Sequence, residues 1–345
     1  MWKIQHGFRI NLKDDTILLS NSWLDKFYSI RSNNIEKLYI KMKEIQKLEF
    51  FTEDEIIGIF QTLISNTEAL NLINYFKKNK IMISYNKMKD YSNAKYHRQE
   101  VFFDNFESSD ENGHEINRQL QNKTVLIPGL GGYGTYTAML LARMGIKKII
   151  LVDNDVIELS NLNRQVFYEI NDIGRKKVEV CKEKIHLFDE NICVEIYDFL
   201  ITGPNDLVEI LDDVDLVMNA FGYIPKELQI NNISHNIIEA CILTKTPVLN
   251  YNGSFIGPVV TEDYPNAYYE FASNKEVFDT LKNSVNENIN ATHIAAFVPR
   301  ISISCSVAVW EAVRYLLKVP TRVSLEKQVI ILDTLAYTKH RVIKI

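Results

Sequence analysis

The sequence contains no apolar run as long as the roughly 18–20 residues that a membrane-spanning helix needs. Its first residues, Met1-Trp2-Lys3-Ile4-Gln5-His6, lack the basic and apolar regions of a secretory signal. A cytoplasmic protein with no membrane partner is the expectation. Cysteine is scarce. Four occur in 345 residues, Cys181, Cys193, Cys241 and Cys305, and none stands in a C-x-x-C pair. That argues against a disulfide framework and against a cysteine zinc site. Positive charge is not in excess, with 39 Lys and Arg against 44 Asp and Glu and a net charge of −5. No basic field favours nucleic acid, so no nucleic-acid partner is expected. The seven histidines show no metal-ligand spacing, and there is no internal repeat or long low-complexity tract. With 46% apolar and 24% charged residues, the chain has room for one large domain and a smaller one.

Residues 1–90 read as a small α+β unit with winged-helix-like content. Phe8 to Leu12 and Thr16 to Leu19, joined at Asp14-Asp15, predict a hairpin. Asn34 to Gln46 has helical character. Thr52 and Glu55 form a capping-box pattern ahead of Ile56, Ile57, Phe60, Leu63 and Ile64, which share a helical face. Leu70, Ile73 and Phe76 mark a third helix, and Ile81 to Tyr85 a strand. Residues 91–122 are expected to be a linker, with the polar stretch Asn105 to Arg118 as a loop-like joint. From residue 123 to 345 strands and helices alternate. The candidate strands are Val125-Leu126-Ile127, Ile149 to Val152, Val194-Glu195-Ile196, Leu216-Val217-Met218, Val248-Leu249-Asn250 and Val329 to Leu332. Short apolar runs of this kind suit strands covered on both faces. The expected class is therefore α/β, a Rossmann-like, doubly wound, mostly parallel sheet.

Pro128-Gly129-Leu130-Gly131-Gly132-Tyr133-Gly134 follows the first of these strands and opens a helix through Ala138, Leu141 and Ala142. Glycines there allow a tight turn, and the helix N-terminus presents N–H groups and a positive dipole end to a phosphate. The loop alone does not separate ATP from NAD. Asp153 ends the next strand, about 20 residues on, where an acid accepts hydrogen bonds from ribose hydroxyls. The residues after it separate the two nucleotides. Asn161 and Arg164 follow within Ser160-Asn161-Leu162-Asn163-Arg164-Gln165, and Lys176-Lys177 stand at a predicted helix start. Cations in those positions suit a triphosphate whose α-phosphate must be made electrophilic.

These motifs resemble the ThiF/MoeB/HesA adenylating enzymes, relatives of the ubiquitin-activating enzymes. The resemblance runs from about Lys95 to the C-terminus. It rests on Gly129 to Gly134, Asp153-Asn154-Asp155, Ser160 to Gln165 and Lys176-Lys177-Val178-Glu179. It implies ATP as the nucleotide. The glycine loop (Gly129, Gly131, Gly132, Gly134), Asp153, Asp155, Asn161 and Gln165 would bind it. Arg164 would hold phosphates, and Lys177 the phosphates and the developing transition state. Lys95-Tyr96-His97-Arg98-Gln99 resembles an element whose arginine, here Arg98, reaches the partner's ATP in a homodimer. A small domain ahead of the core is the layout of the family's peptide-adenylating branch, which matures ribosomally made antibiotic peptides. There the extra domain clamps a precursor peptide.

Three departures from the family are visible. The usual magnesium-binding Asp just past the strand at Leu216 aligns with Gly222, so Mg2+ needs another ligand. The zinc C-x-x-C pairs are missing, with Asn266 to Phe271 in place of the first, so no zinc is expected and core packing must hold that region. No cysteine is placed as a thioester nucleophile, and Cys241 and Cys305 read as buried inert thiols. No residue is assigned to a metal, and His293 reads as structural. The polar stretch Asn274 to Thr292 corresponds to a mobile crossover loop in the family. The implied activity is ATP-dependent adenylation of a precursor-peptide carboxylate with release of pyrophosphate. Activation of a sulfur carrier's C-terminal glycine, a nucleotide-binding scaffold with impaired catalysis, and an NAD-dependent oxidoreductase remain as alternatives.

Overall fold

The computed structural model describes residues 1–84, 95–108, 111–221, 233–253, 255–274, 297–319, 324–332 and 340–344. Gly222, the stretch Asn283 to Asn290, and His293 lie outside the described residues. Two compact units divide the chain, Met1–Gln119 and Leu120–Ile345.

The first unit carries β1 (Trp2–Ile4), β2 (Arg9–Lys13), β3 (Thr16–Asn21), β4 (Lys26–Ile30), α1 (Ile35–Lys47), α2 (Glu53–Gln61), α3 (Asn66–Lys78), β5 (Met82–Ser84), α4 (His97–Phe103) and all but the last two residues of α5 (Gly113–Gln121). Asp14 and Asp15 both hold left-handed backbone, with φ of 44° and 55°. That is the geometry a two-residue hairpin turn requires, because its twist then matches that of the strands. β2 and β3 accordingly pair from Arg9 opposite Ser20 to Lys13 opposite Thr16. β4 extends the pair into a three-stranded meander. The predicted capping box starts α2: the Thr52 N–H donates to Glu55 Oε2 at 2.7 Å and the Glu55 N–H to Thr52 Oγ1 at 3.3 Å. Ser65 and Glu68 repeat the device at α3. Leu38, Met42, Phe60, Ile73 and Phe76 of the helices share one buried core with Ile17 and Leu19 of the meander.

Part of the expected joint is a helix. Gly113–Gln121 form α5, which overlaps the stretch Asn105 to Arg118 expected to be loop-like, and the first compact unit runs to Gln119. The Asn112 N–H donates to Glu115 Oε2 at 2.8 Å and the Glu115 N–H to Asn112 Oδ1 at 3.0 Å. This is a capping box written with asparagine instead of serine or threonine, followed by a mostly polar helix, so the apolar pattern gave no signal. A buried ion pair of 2.7 Å between Lys3 and Glu107 ties this stretch to β1.

The second unit contains β6 (Thr124–Pro128), α6 (Gly132–Met144), β7 (Lys148–Val152), α7 (Lys177–Phe188), β8 (Cys193–Tyr197), α8 (Asn205–Val208), β9 (Leu216–Asn219), α9 (Ile233–Thr244), β10 (Val248–Tyr251), β11 (Phe255–Val260), α10 (Ala267–Ser273), α11 (Val298–Leu316), β12 (Gln328–Leu332) and β13 (His340–Lys344). Among the described residues its eight strands form one sheet in the order β13-β12-β11-β10-β9-β6-β7-β8. The run from β10 to β8 is parallel, and β11, β12 and β13 join antiparallel. β6, β7 and β9 are buried along nearly their whole length, as strands covered on both faces must be. Chain order reverses between β6's neighbours β7 and β9. The crevice outside the carboxyl ends of these strands is where such sheets bind ligands. Where the family's first zinc pair would stand, α10 buries Ala267, Tyr268 and Phe271. The Phe271 ring lies 4.9 Å from that of Phe255.

Candidate functional site

The turn after β6 begins with Gly129 at φ +80°, a left-handed conformation that favours glycine. The Gly129 N–H donates to the Val152 carbonyl at 2.7 Å, which locks the turn against the end of β7. Two residues on, Gly131 caps α6, and a methyl group added there would meet nothing within 4 Å. Gly134 is the opposite case: a methyl would come within 1.9 Å of the Gly129 carbonyl oxygen. One glycine leaves the turn open for a ligand and the other lets helix and turn pack at close range.

Asp153 follows β7 directly. Its Oδ2 accepts the Leu130 N–H at 2.5 Å and its Oδ1 the Asp155 N–H at 2.8 Å. The carboxylate therefore braces the glycine turn as well as facing the cleft. Burial raises its pKa above the usual carboxylate value, against the opposing pull of Lys177 and of the two N–H donors. Lys177 opens α7, and its ammonium bonds Asp155 Oδ2 at 2.6 Å; the two side chains are 6% and 61% exposed. The charge of this deeply held lysine is thus met by a single exposed carboxylate on the cleft wall. Lys176 points elsewhere, to the Asn154 carbonyl and Asp198, each at 2.9 Å.

Gly129, Gly131, Asp153, Asp155 and Lys177 line one cleft of about 260 Å3. They are five of the residues the sequence singled out. Much of the remaining lining is apolar, and the motifs do not mark it. It is built by Phe199, Leu200 and Ile201 after β8, Phe221 after β9, and Ile233 at the start of α9. Phe199 to Ile201 sit at the carboxyl end of a parallel strand, a position that would have singled them out.

The remaining sequence candidates lie in different places. Arg164 approaches the glycine loop, because a methyl on Gly132 would come within 3.4 Å of the Arg164 carbonyl oxygen. Its guanidinium folds back on its own turn, donating to the Ser160 carbonyl at 2.6 Å and to Asn163 Oδ1 at 3.2 Å. Asn161 is buried and its Oδ1 accepts the Glu158 N–H at 3.1 Å, so it shapes this turn. Gln165 is buried, and its side-chain carbonyl has no hydrogen-bond partner among the described residues. Arg98 is exposed on α4 in the other unit. Beneath the loop, the Tyr168 hydroxyl donates to the Leu130 carbonyl at 3.0 Å and lies 3.3 Å from Cys181 Sγ. Burial pushes the Cys181 thiol up to about 12. Cys305 is likewise raised to about 12 by burial, and buried Cys241 is raised too. None of the three is an activated nucleophile. Among the described residues no group of three or more His, Cys, Asp or Glu could hold a metal ion, and no helix is long and apolar enough to cross a membrane.

A family model described as the ThiF family matches residues 96–344. A probable molybdopterin-synthase adenylyltransferase from Porphyra purpurea is 32% identical over 166 residues, 47% of this chain and 41% of that protein. A sulfur carrier protein adenylyltransferase from Thermus thermophilus is 30% identical over 176 residues, 51% of this chain and 60% of that protein. The chain thus spans less than two thirds of the length of these relatives. Solved structures match more of the chain at lower identity. MccB of E. coli with ATP aligns at a TM-score of 0.70 and 20% identity, over 99% of this chain and 96% of that one. MccB in complex with N-formylated MccA gives 0.71 and 19%, with the same coverage. PaaA gives 0.68 and 21%, over 98% of each chain.

Proposed function

This chain belongs to the ThiF family, and we propose that it is an ATP-dependent adenylyltransferase that activates a carboxylate of a ribosomally made peptide in antibiotic maturation. The observation that carries the adenylation reading is the buried Lys177 ammonium in one cleft with the glycine turn and Asp153. The peptide reading draws support from the extent of the MccB likeness. It covers 99% of this chain, whereas the family model begins at residue 96. MccB has been solved with N-formylated MccA.

ATP would lie with its ribose at Asp153, its adenine against Phe199 to Ile201 and its phosphates at the glycine turn and the start of α6. A carboxylate oxygen of the substrate attacks the α-phosphorus and forms the new oxygen–phosphorus bond. The bond to the oxygen bridging the α- and β-phosphates breaks, and pyrophosphate leaves with the electron pair. The nucleophile is already ionised, so no general base is required. The site supplies placement and positive charge, through Lys177 and the N–H groups of the turn. Magnesium needs only one or two carboxylates besides phosphates. Asp155, exposed and on the cleft wall, is the group that fits this part.

Arg98 is kept as the residue that completes a partner subunit's site in a homodimer. Mixing Arg98→Ala chains with Lys177→Ala chains tests it. Heterodimers should regain part of the activity if the site is shared, and none if it is not.

A second reading, activation of a sulfur carrier's C-terminal glycine, is favoured by the names of the relatives from Porphyra and Thermus. Pyrophosphate release from ATP separates the two when it is measured with short peptides bearing a free carboxylate and with a carrier ending in Gly-Gly. Release with the carrier alone overturns the peptide assignment. Release with neither favours a scaffold that has lost catalysis.

A further inference from the structure

The cleft described above occupies the β7 side of the glycine loop. A second polar constellation, unused by that account, stands on the β10 side. β10 runs parallel to β9 and β6, so its carboxyl end, Tyr251 to Gly253, lies at the same sheet edge as the glycine turn. Arg300, in the first turn of α11, donates from Nε to the Gly253 carbonyl at 3.1 Å. The Tyr133 hydroxyl reaches the same glycine: a methyl on Gly253 would meet it at 2.6 Å and Arg300 Nε at 2.9 Å.

Both side chains are held from behind. The Tyr133 ring packs edge-on against buried Tyr251, with centroids 6.3 Å apart, and the Tyr251 hydroxyl lies 2.6 Å from Thr137 Oγ1. Ser304, one turn after Arg300, donates to the Asn252 carbonyl. Ile301, next to Arg300, packs on the phosphate loop itself, since a methyl on Gly132 would come within 2.9 Å of its Cδ1. A guanidinium and a phenol are thus fixed beside the turn that receives phosphate, on the flank away from Asp153 and Lys177. Burial raises the Tyr133 hydroxyl above its ordinary value, with Arg300 pulling the other way, so the phenol stays a proton donor at neutral pH.

We infer that Arg300 and Tyr133 form the acyl arm of the site, which grips the oxygen of the substrate carboxylate that does not attack phosphorus. This rests on the adenylation reading and adds to it the residues that recognise the acyl group. A donor pair suits that oxygen, because it carries negative charge before attack and remains a carbonyl acceptor in the mixed anhydride. Anchoring the guanidinium through Nε fixes its plane, which limits the reorganisation needed when the substrate arrives.

The alternative is that Arg300 only staples the turn after β10. Equilibrium binding separates the two, with ATP, AMP and the stable mimic 5′-O-(N-acetylsulfamoyl)adenosine as probes. They are measured on the wild-type chain and on Arg300→Ala, Arg300→Lys and Tyr133→Phe. The acyl arm predicts that Arg300→Ala weakens the mimic on the order of 10²-fold and Tyr133→Phe about tenfold. ATP and AMP should stay within about twofold, and lysine at 300 should recover part of the loss. Retained AMP binding shows that the variants are folded. Equal losses for AMP and the mimic, or no loss for either, overturn the inference. A wild-type chain that binds neither ATP nor AMP overturns the adenylation reading instead.

Discussion

In the first unit, residues three positions apart settle the structure: Thr52 with Glu55, Ser65 with Glu68, Asn112 with Glu115. In the second, the residues that matter are far apart in the chain. Gly129, Asp153 and Lys177 meet only because β6 and β7 pair in register and α7 starts above them. Local devices build a unit whose helices cap themselves. Long-range pairing builds a crevice at a sheet edge, where backbone N–H groups, an acid and a cation converge. The difference separates the two expected roles. The nucleotide cleft lies in the unit assembled by the sheet, the first unit's proposed part being Arg98 toward a partner's site, and a change of stability in the first unit should leave the cleft intact.

The largest expected effect is on Lys177. Lys177→Met keeps the bulk and removes the charge from a buried site. Adenylation should slow on the order of 10²-fold or more, equivalent to about 3 kcal/mol of lost transition-state stabilisation. Pyrophosphate release under saturating ATP measures it, and a rate within threefold of wild type would remove Lys177 from the mechanism.

Next come the two glycines of the turn. Gly134→Ala forces a methyl onto the Gly129 carbonyl and should cost about 3 kcal/mol of stability, read by denaturant unfolding. Gly131→Ala meets open space. It should cost about 1 kcal/mol or less yet weaken ATP binding, because the methyl stands where phosphate would lie. Equal destabilisation by both would contradict the division of labour between them.

Asn112→Ala removes the cap of the helix that the sequence concealed, and should cost the first unit about 1 kcal/mol. ATP affinity should not change, and a parallel loss of ATP binding would break the separation of the units.

The smallest effect is the pH dependence from Asp153. Its folded pKa is raised, chiefly by burial. The folded chain therefore holds this proton at pH values where the unfolded chain has lost it. Stability should fall as pH rises from the ordinary carboxylate value through the raised one. Unfolding curves for wild type and Asp153→Asn should diverge in that window, with wild type losing stability relative to the variant. A wild type that gains stability there would refute the assignment.

Much of this was legible in the sequence where one residue type has one use. Asp14-Asp15 marked a hairpin, Thr52 and Glu55 a helix start, and β6, β7 and β9 were short apolar runs. β4 was missed because its alternation is half-exposed. β11 was missed because Gly257-Pro258 reads as a break in a strand, while in the fold the β10–β11 register shifts to accommodate it. α5 was read as loop because its cap is an asparagine and its face is mostly polar. Gly129, Gly131, Asp153, Asp155 and Lys177 stand in recognisable motifs of glycine and charge, and the fold brings these five to one cleft. For Phe199 to Ile201 the one mark in the sequence is their place after a candidate strand, and Arg300 beside Tyr133 carries none. Each owes its place to strand order and helix packing.

Calorimetric titration of the purified chain with ATP and, separately, with NAD, repeated on Lys177→Met, tests the central claim that this cleft is built for a triphosphate. Saturable ATP binding is expected in the wild type, with marked weakening in the variant and no response to NAD. Saturable NAD binding without an ATP response, or ATP binding indifferent to Lys177, would contradict it.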